Sequence, residues 1–141
     1  MRRFLLGAAC LVSGCLDTDI APLFLTAEGA ASVSLLASGA QSFHCVVAVY
    51  LIPRRSSPPA TLTNFAPWSD LAITQRLPDT AIEFRVLSNA QQCWTQAIVA
   101  AAGSTDQDSL LSKGTVLNTF SSDGKVAVFD PERGLFIALS G

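Results

Sequence analysis

Charge is scarce in this sequence. Of 141 residues, 14% are Asp, Glu, Lys or Arg, and none of these falls between Gly29 and Pro53. Nine basic residues against eleven acidic ones give a net charge of −2. That balance lacks the basic excess that drives nucleic-acid binding, so no nucleic-acid partner is expected. Histidine occurs once, as His44, which excludes sites built on two histidines, such as the His-Glu-x-x-His zinc proteases. There is no Cys-x-x-Cys, no Gly-x-Ser-x-Gly elbow, no Walker A loop and no Gly-x-Gly-x-x-Gly turn. A structural zinc site needs four ligands, and Cys45, Cys93 and His44 supply three. His44 and Cys45 are neighbours on a strand-like run, so they point to opposite faces and form no nucleophile–base pair. Asp106 and Asp108 lie in a polar loop, where solvation competes with binding of a hard cation. No enzyme, metal or cofactor is therefore expected. Disorder is excluded too, because 50% of the residues are hydrophobic and the mean hydropathy is +0.41.

What is present begins at the N-terminus. Arg2 and Arg3 precede an uncharged run of 13 residues, Phe4 to Leu16. A basic start, a short apolar stretch and small residues after it are the parts of a secretory signal. The run is too short to span a bilayer, which takes about 18 apolar residues or more. Its end, Val12-Ser13-Gly14-Cys15, resembles the lipobox of bacterial lipoprotein precursors. The resemblance covers residues 1–15 only. It implies that the Cys15 sulfur receives a diacylglycerol and that a signal peptidase cuts between Gly14 and Cys15. The alternatives are an ordinary signal peptide with an incidental cysteine and a buried N-terminal helix. Each buried methylene of an acyl chain contributes about 0.8 kcal/mol, so two or three chains hold a domain at a membrane. By the same resemblance, Leu16 after the cysteine favours the outer over the inner membrane.

Processing changes the remaining arithmetic. Loss of residues 1–14 removes Arg2, Arg3 and Cys10, leaving seven basic and eleven acidic residues, a net of −4. An acidic domain is not drawn to anionic headgroups, so the lipid on Cys15 must do the anchoring. With Cys15 occupied, Cys45 and Cys93 remain. An even remainder in an oxidising compartment suggests one disulfide, against the alternative of two separate buried thiols.

Residues 1–14 thus read as signal peptide, 15–28 as lipidated cysteine and tether, and 29–141 as one globular domain. The charge-free run near 29–53 has two readings. One is a spanning helix stopped by Arg54 and Arg55. The other is a buried strand over Phe43–Ile52, rich in valine and ending at the loop that starts with Pro53. Ser38, Gln41, Ser42 and His44 sit where hydrocarbon is least tolerant, which favours the strand. Ala31–Leu35 alternates, with helix left open. Residues 80–87 read as a strand, with Ile82, Phe84 and Val86 on one face. Ser88 to Gln91 fits a capping box, and Ala90, Cys93, Trp94, Ala97, Ile98 and Ala101 form one stripe. The main helix is therefore expected at about 88–102, stopped by Gly103 and turning Cys93 toward Cys45. Thr115–Phe120, Lys125–Phe129 and Leu135–Ser140 read as a meander with turns at Asp123-Gly124 and Asp130–Gly134. The expected fold is α+β: a small antiparallel sheet, one main amphipathic helix and a C-terminal β-meander.

The expected function is a lipid-anchored envelope protein whose domain binds or assembles other envelope components. A small-ligand or protein-inhibitor module of the periplasm is the alternative, and a membrane protein spanning near 29–53 the second. Arg54, Arg55 and Trp68 are the candidate partner surface, weighed against core packing of Trp68.

Overall fold

Valine and alanine build the centre of this protein. In the computed structural model, which describes residues 19–41, 45–52, 58–59, 62, 64–69, 86, 88–106, 109–110, 116–121 and 123–140, five strands form one antiparallel sheet. They are β1 (Ser34–Gln41), β2 (Cys45–Leu51), β3 (Leu117–Phe120), β4 (Lys125–Asp130) and β5 (Leu135–Ser140). The order across the sheet is β1-β2-β5-β4-β3. The C-terminal strands form the expected meander, and the fold is mixed α+β. Among the described residues, the short α-helices α1 (Ala21–Phe24), α2 (Ala27–Ser32) and α3 (Gln96–Ala102) and a 3-10 turn at Gln91–Cys93 accompany the sheet.

The run Gly29–Pro53 is not a spanning helix. Its described residues enter α2 and then a hairpin, with Gln41 opposite Cys45 and Ser34 opposite Leu51. β-Branched residues in Cys45–Leu51 favour the pleated backbone. Among the described residues, no helix is long and apolar enough to cross a membrane.

Cross-strand register divides the sheet into two unlike faces. On the first, Val47 faces Leu139, which faces Val126, and Val49 faces Ile137, which faces Val128. This branched surface carries the core formed with Val86, Ala90, Cys93, Trp94, Ile98, Ala102 and Leu110. On the second face, Ala48, Ala138 and Ala127 line up across three strands, beside a row of Tyr50, Phe136 and Phe129. The alanines leave room for backbone to approach, and the segment from Ile20 to Leu25 fills it. β2 and β5 are therefore covered on both sides, which is why they read as near-continuous apolar runs.

Two sequence expectations are corrected here. Residues 19–28 are not a tether. Ile20, Ala21, Phe24 and Leu25 are all buried, with the Phe24 ring 5.4 Å from Phe65 and 6.1 Å from Phe136. The spacing of Ile20 and Phe24 puts both on the inner side of a single turn, a pattern too short to read as periodicity. The fold thus includes residues before Gly29.

The helix expected over 88–102 is broken. Ser88 lies within helical backbone together with Val86, so it does not cap a helix start. Val86, expected in a strand over 80–87, is helical; residues 80–85 lie outside the described residues. After the 3-10 turn, Trp94 (φ −81, ψ 78) reverses the chain, and Thr95 N–H donates to Cys93 O at 3.0 Å, an inverse γ-turn. Thr95 then caps α3, its hydroxyl accepting from Ile98 N–H at 3.4 Å. The break is stabilised by tertiary contacts: the Trp94 indole donates to Ser104 O at 2.9 Å. The expected stop holds, since Gly103 is left-handed at φ 65 and its N–H returns to Val99 O.

Candidate functional site

Four groups of candidate residues meet different fates. Gly14 and Cys15, the expected cleavage and lipidation positions, lie outside the described residues. So do Arg54 and Arg55. Cys45 and Cys93 form a disulfide, with their Cα atoms 6.2 Å apart. Cys45 opens β2, and Cys93 ends the 3-10 turn above it. The contact is tight: a Cβ on Gly39 of β1 would collide with the Cys93 carbonyl oxygen and press on the Thr95 methyl. Glycine at this position is what lets the turn sit on the hairpin. Of the two readings for these cysteines, the paired one is observed.

Trp68 is half-buried rather than displayed. Its ring meets Phe129 edge-on at 6.4 Å. Its indole N–H donates to Pro59 O at 3.2 Å. The segment around it runs beside β3, with isolated bridges Ser69 to Asn118 and Phe65 to Ser121, and Thr119 Oγ1 donates to Ala66 O at 2.5 Å. Trp68 thus covers the open side of the aromatic row. This is the core-packing role set against the partner surface in the sequence.

The junction between the N-terminal segment and the sheet escapes sequence reasoning. Tyr50, near the end of β2, is 1% exposed. Its hydroxyl donates to Asp19 Oδ1 at 2.8 Å and accepts from Ile20 N–H at 2.9 Å. Asp19 Oδ1 also accepts from Ala21 N–H at 3.0 Å. One phenol therefore ties down the entry to α1 and relieves a buried backbone donor. A lone tyrosine ending a buried valine strand signals that its hydroxyl needs a partner. The spacing cannot say that the partner lies 31 residues upstream.

Burial first, and then the bond to the Asp19 carboxylate, push this phenol well above its usual range. The folded protein therefore holds a proton that the unfolded chain releases near pH 10. The linked stability is complete below that pH and is lost as pH rises above it, by about 1.4 kcal/mol per pH unit. Tyr50 is the only tyrosine in the chain, so phenolate absorbance reports on it alone. Phenolate is expected to appear only together with loss of the near-ultraviolet dichroism of the fold. Ionisation near pH 10 with that signal intact would contradict the buried clamp.

A second polar cluster closes the β4–β5 turn, at the same end of the sheet as Tyr50. Asp130 Oδ1 accepts from Glu132 N–H at 3.0 Å and Arg133 N–H at 3.3 Å. Arg133 Nη1 donates to Ala102 O at 2.7 Å, capping α3 with a cation. In the β3–β4 turn, Lys125 and then Ser121 hydrogen-bond Asp123 and hold its carboxyl below the usual range. These groups are structural: each is satisfied by the turn or helix end that it closes. Among the described residues, no group of three or more His, Cys, Asp or Glu side chains is placed to hold a metal ion.

Comparison with protein-family models, with curated proteins and with solved structures finds no match to this chain.

Proposed function

We propose that this chain is the precursor of a bacterial lipoprotein, and that its mature domain is held at a cell-envelope membrane by acyl chains on Cys15. There it acts as a binding or assembly module for another envelope protein. The observation that carries this reading is the segment Val12-Ser13-Gly14-Cys15 at the end of an apolar run preceded by Arg2 and Arg3. Two further observations support it. The Cys45–Cys93 disulfide suits an oxidising compartment such as the periplasm. Ile20, five residues after Cys15, is already buried in the domain core, so the expected anchor and the domain are close neighbours in one chain.

The test is chemical. In a bacterial host, labelled palmitate is expected to enter the wild-type chain, and the mass of the processed protein should show residue 15 acylated and residues 1–14 gone. Cys15→Ala should abolish the label and block the cut at Gly14. Unlabelled wild-type protein in the soluble fraction would refute the reading. Affinity capture from solubilised membranes, using the acylated protein as bait, then identifies the partner.

A further inference from the structure

We infer that the α1–α2 face is the membrane-facing side of the domain, with Leu23 seated in the interface of the lipid bilayer. This rests on the lipid-anchored reading above and deepens it by fixing which way the domain points.

The first ground is length. Cys15 and Asp19 are four residues apart, and four residues span at most about 13–14 Å when fully extended. A compact domain of the mature length is about 36 Å across. A leash under half that breadth cannot carry the domain around to present its far side. The leash also ends on a fixed point. Asp19 and Ile20 are clamped to the buried Tyr50 hydroxyl, and Ile20 and Ala21 are buried. Fraying of α1 therefore cannot lengthen it at low cost.

The second ground is the surface at that end. Leu23 is 54% exposed, the most exposed of the large hydrophobic residues described. Around it, Pro22, Thr26, Ala27, Ala31 and Ser32 are also exposed. Between Asp19 and Val33 there is no basic residue and only one carboxylate besides Asp19, that of Glu28. Such a surface has little hydration to lose on meeting an interface, and Leu23 gains from burial there. The opposite layer, carrying α3, presents Thr95, Gln96 and Ala100 to solvent and lies across the sheet from the leash.

The occupant is thus the lipid surface rather than a protein. The full-length acylated protein is reconstituted in phosphatidylcholine vesicles with a nitroxide at Leu23→Cys or at Ala100→Cys, and acylation of Cys15 is checked by mass. Collisions with dissolved oxygen and with a water-soluble nickel chelate are then compared. At residue 23 oxygen should dominate, and at residue 100 the ratio should invert. Equal ratios at the two sites in acylated protein overturn the inference and leave the anchor standing. Shielding of residue 23 from both reagents points to a second copy or another protein on this face and also overturns it. An unacylated Cys15 defeats the underlying reading, and this orientation with it.

Discussion

Reduction of the Cys45–Cys93 disulfide is expected to lower the stability of the domain by about 4 kcal/mol. The bond joins residues 48 apart, and a cross-link of that span removes much of the freedom of the unfolded chain. Between them runs the connection from β2 to the helical layer, whose described residues are tied down by isolated bridges at Leu62, Phe65 and Ser69. Both cysteines are almost fully buried, at 3% and 1% exposure, so the reduced thiols still fill their places. The loss is therefore one of chain constraint more than of packing. A domain with a total stability of roughly 5–15 kcal/mol is left marginal by such a change. Denaturant unfolding with and without reductant measures it, and a Cys45→Ala, Cys93→Ala double variant should reproduce it. A difference below about 1 kcal/mol, or two free thiols in the exported protein by mass, would contradict the pairing.

Truncation of Phe136 should cost about 3–5 kcal/mol. Phe136 lies on β5, the middle strand, and is fully buried. Its ring is 6.0 Å from Tyr50 and 6.1 Å from Phe24, so it links the sheet to the N-terminal layer. Alanine there would extend the neighbouring alanine row and leave a void that the paired strands cannot close by moving. The void lies under the Tyr50–Asp19 clamp, so protection of Ile20 N–H from hydrogen exchange should fall as well. Leu51→Ala, at a residue 37% exposed, serves as the control and should cost far less. A Phe136→Ala loss no larger than that of Leu51→Ala would mean that the layer is not packed as described.

β2 and the C-terminal strands were legible because their signals are local, whereas Ala31–Leu35, read as a strand with helix left open, holds the end of α2 and the start of β1. Val46 to Tyr50 is rich in β-branched valine and is followed by a loop, and the turns at Asp123-Gly124 and Asp130–Gly134 carry the residues that such turns need. The cysteine pair was legible by elimination and by the stripe that turns Cys93 inward. The N-terminal layer was not, because Asp17, Thr18, Asp19 and Pro22 look like a linker. Only a row of alanines contributed by three distant strands makes a seat for Ile20 and Phe24. The helix over 88–102 was misread at Trp94 for a related reason. Its periodicity is good on both sides of the break, and what reverses the chain is a bond to Ser104 O and a disulfide to another strand. The Tyr50 clamp likewise joins positions that no window of sequence contains.

The sequence by itself determined a charge-poor chain, a buried strand within Phe43–Ile52 and a C-terminal meander, and it left Cys45 and Cys93 as either a pair or two separate thiols. Tertiary structure alone decided that residues before Gly29 belong to the fold, which face of the sheet they cover, and where the main helix breaks. The division follows from range. Periodicity and turn chemistry act between residues a few positions apart. The seat for α1 and the reversal at Trp94 exist only once the strands that form them have paired.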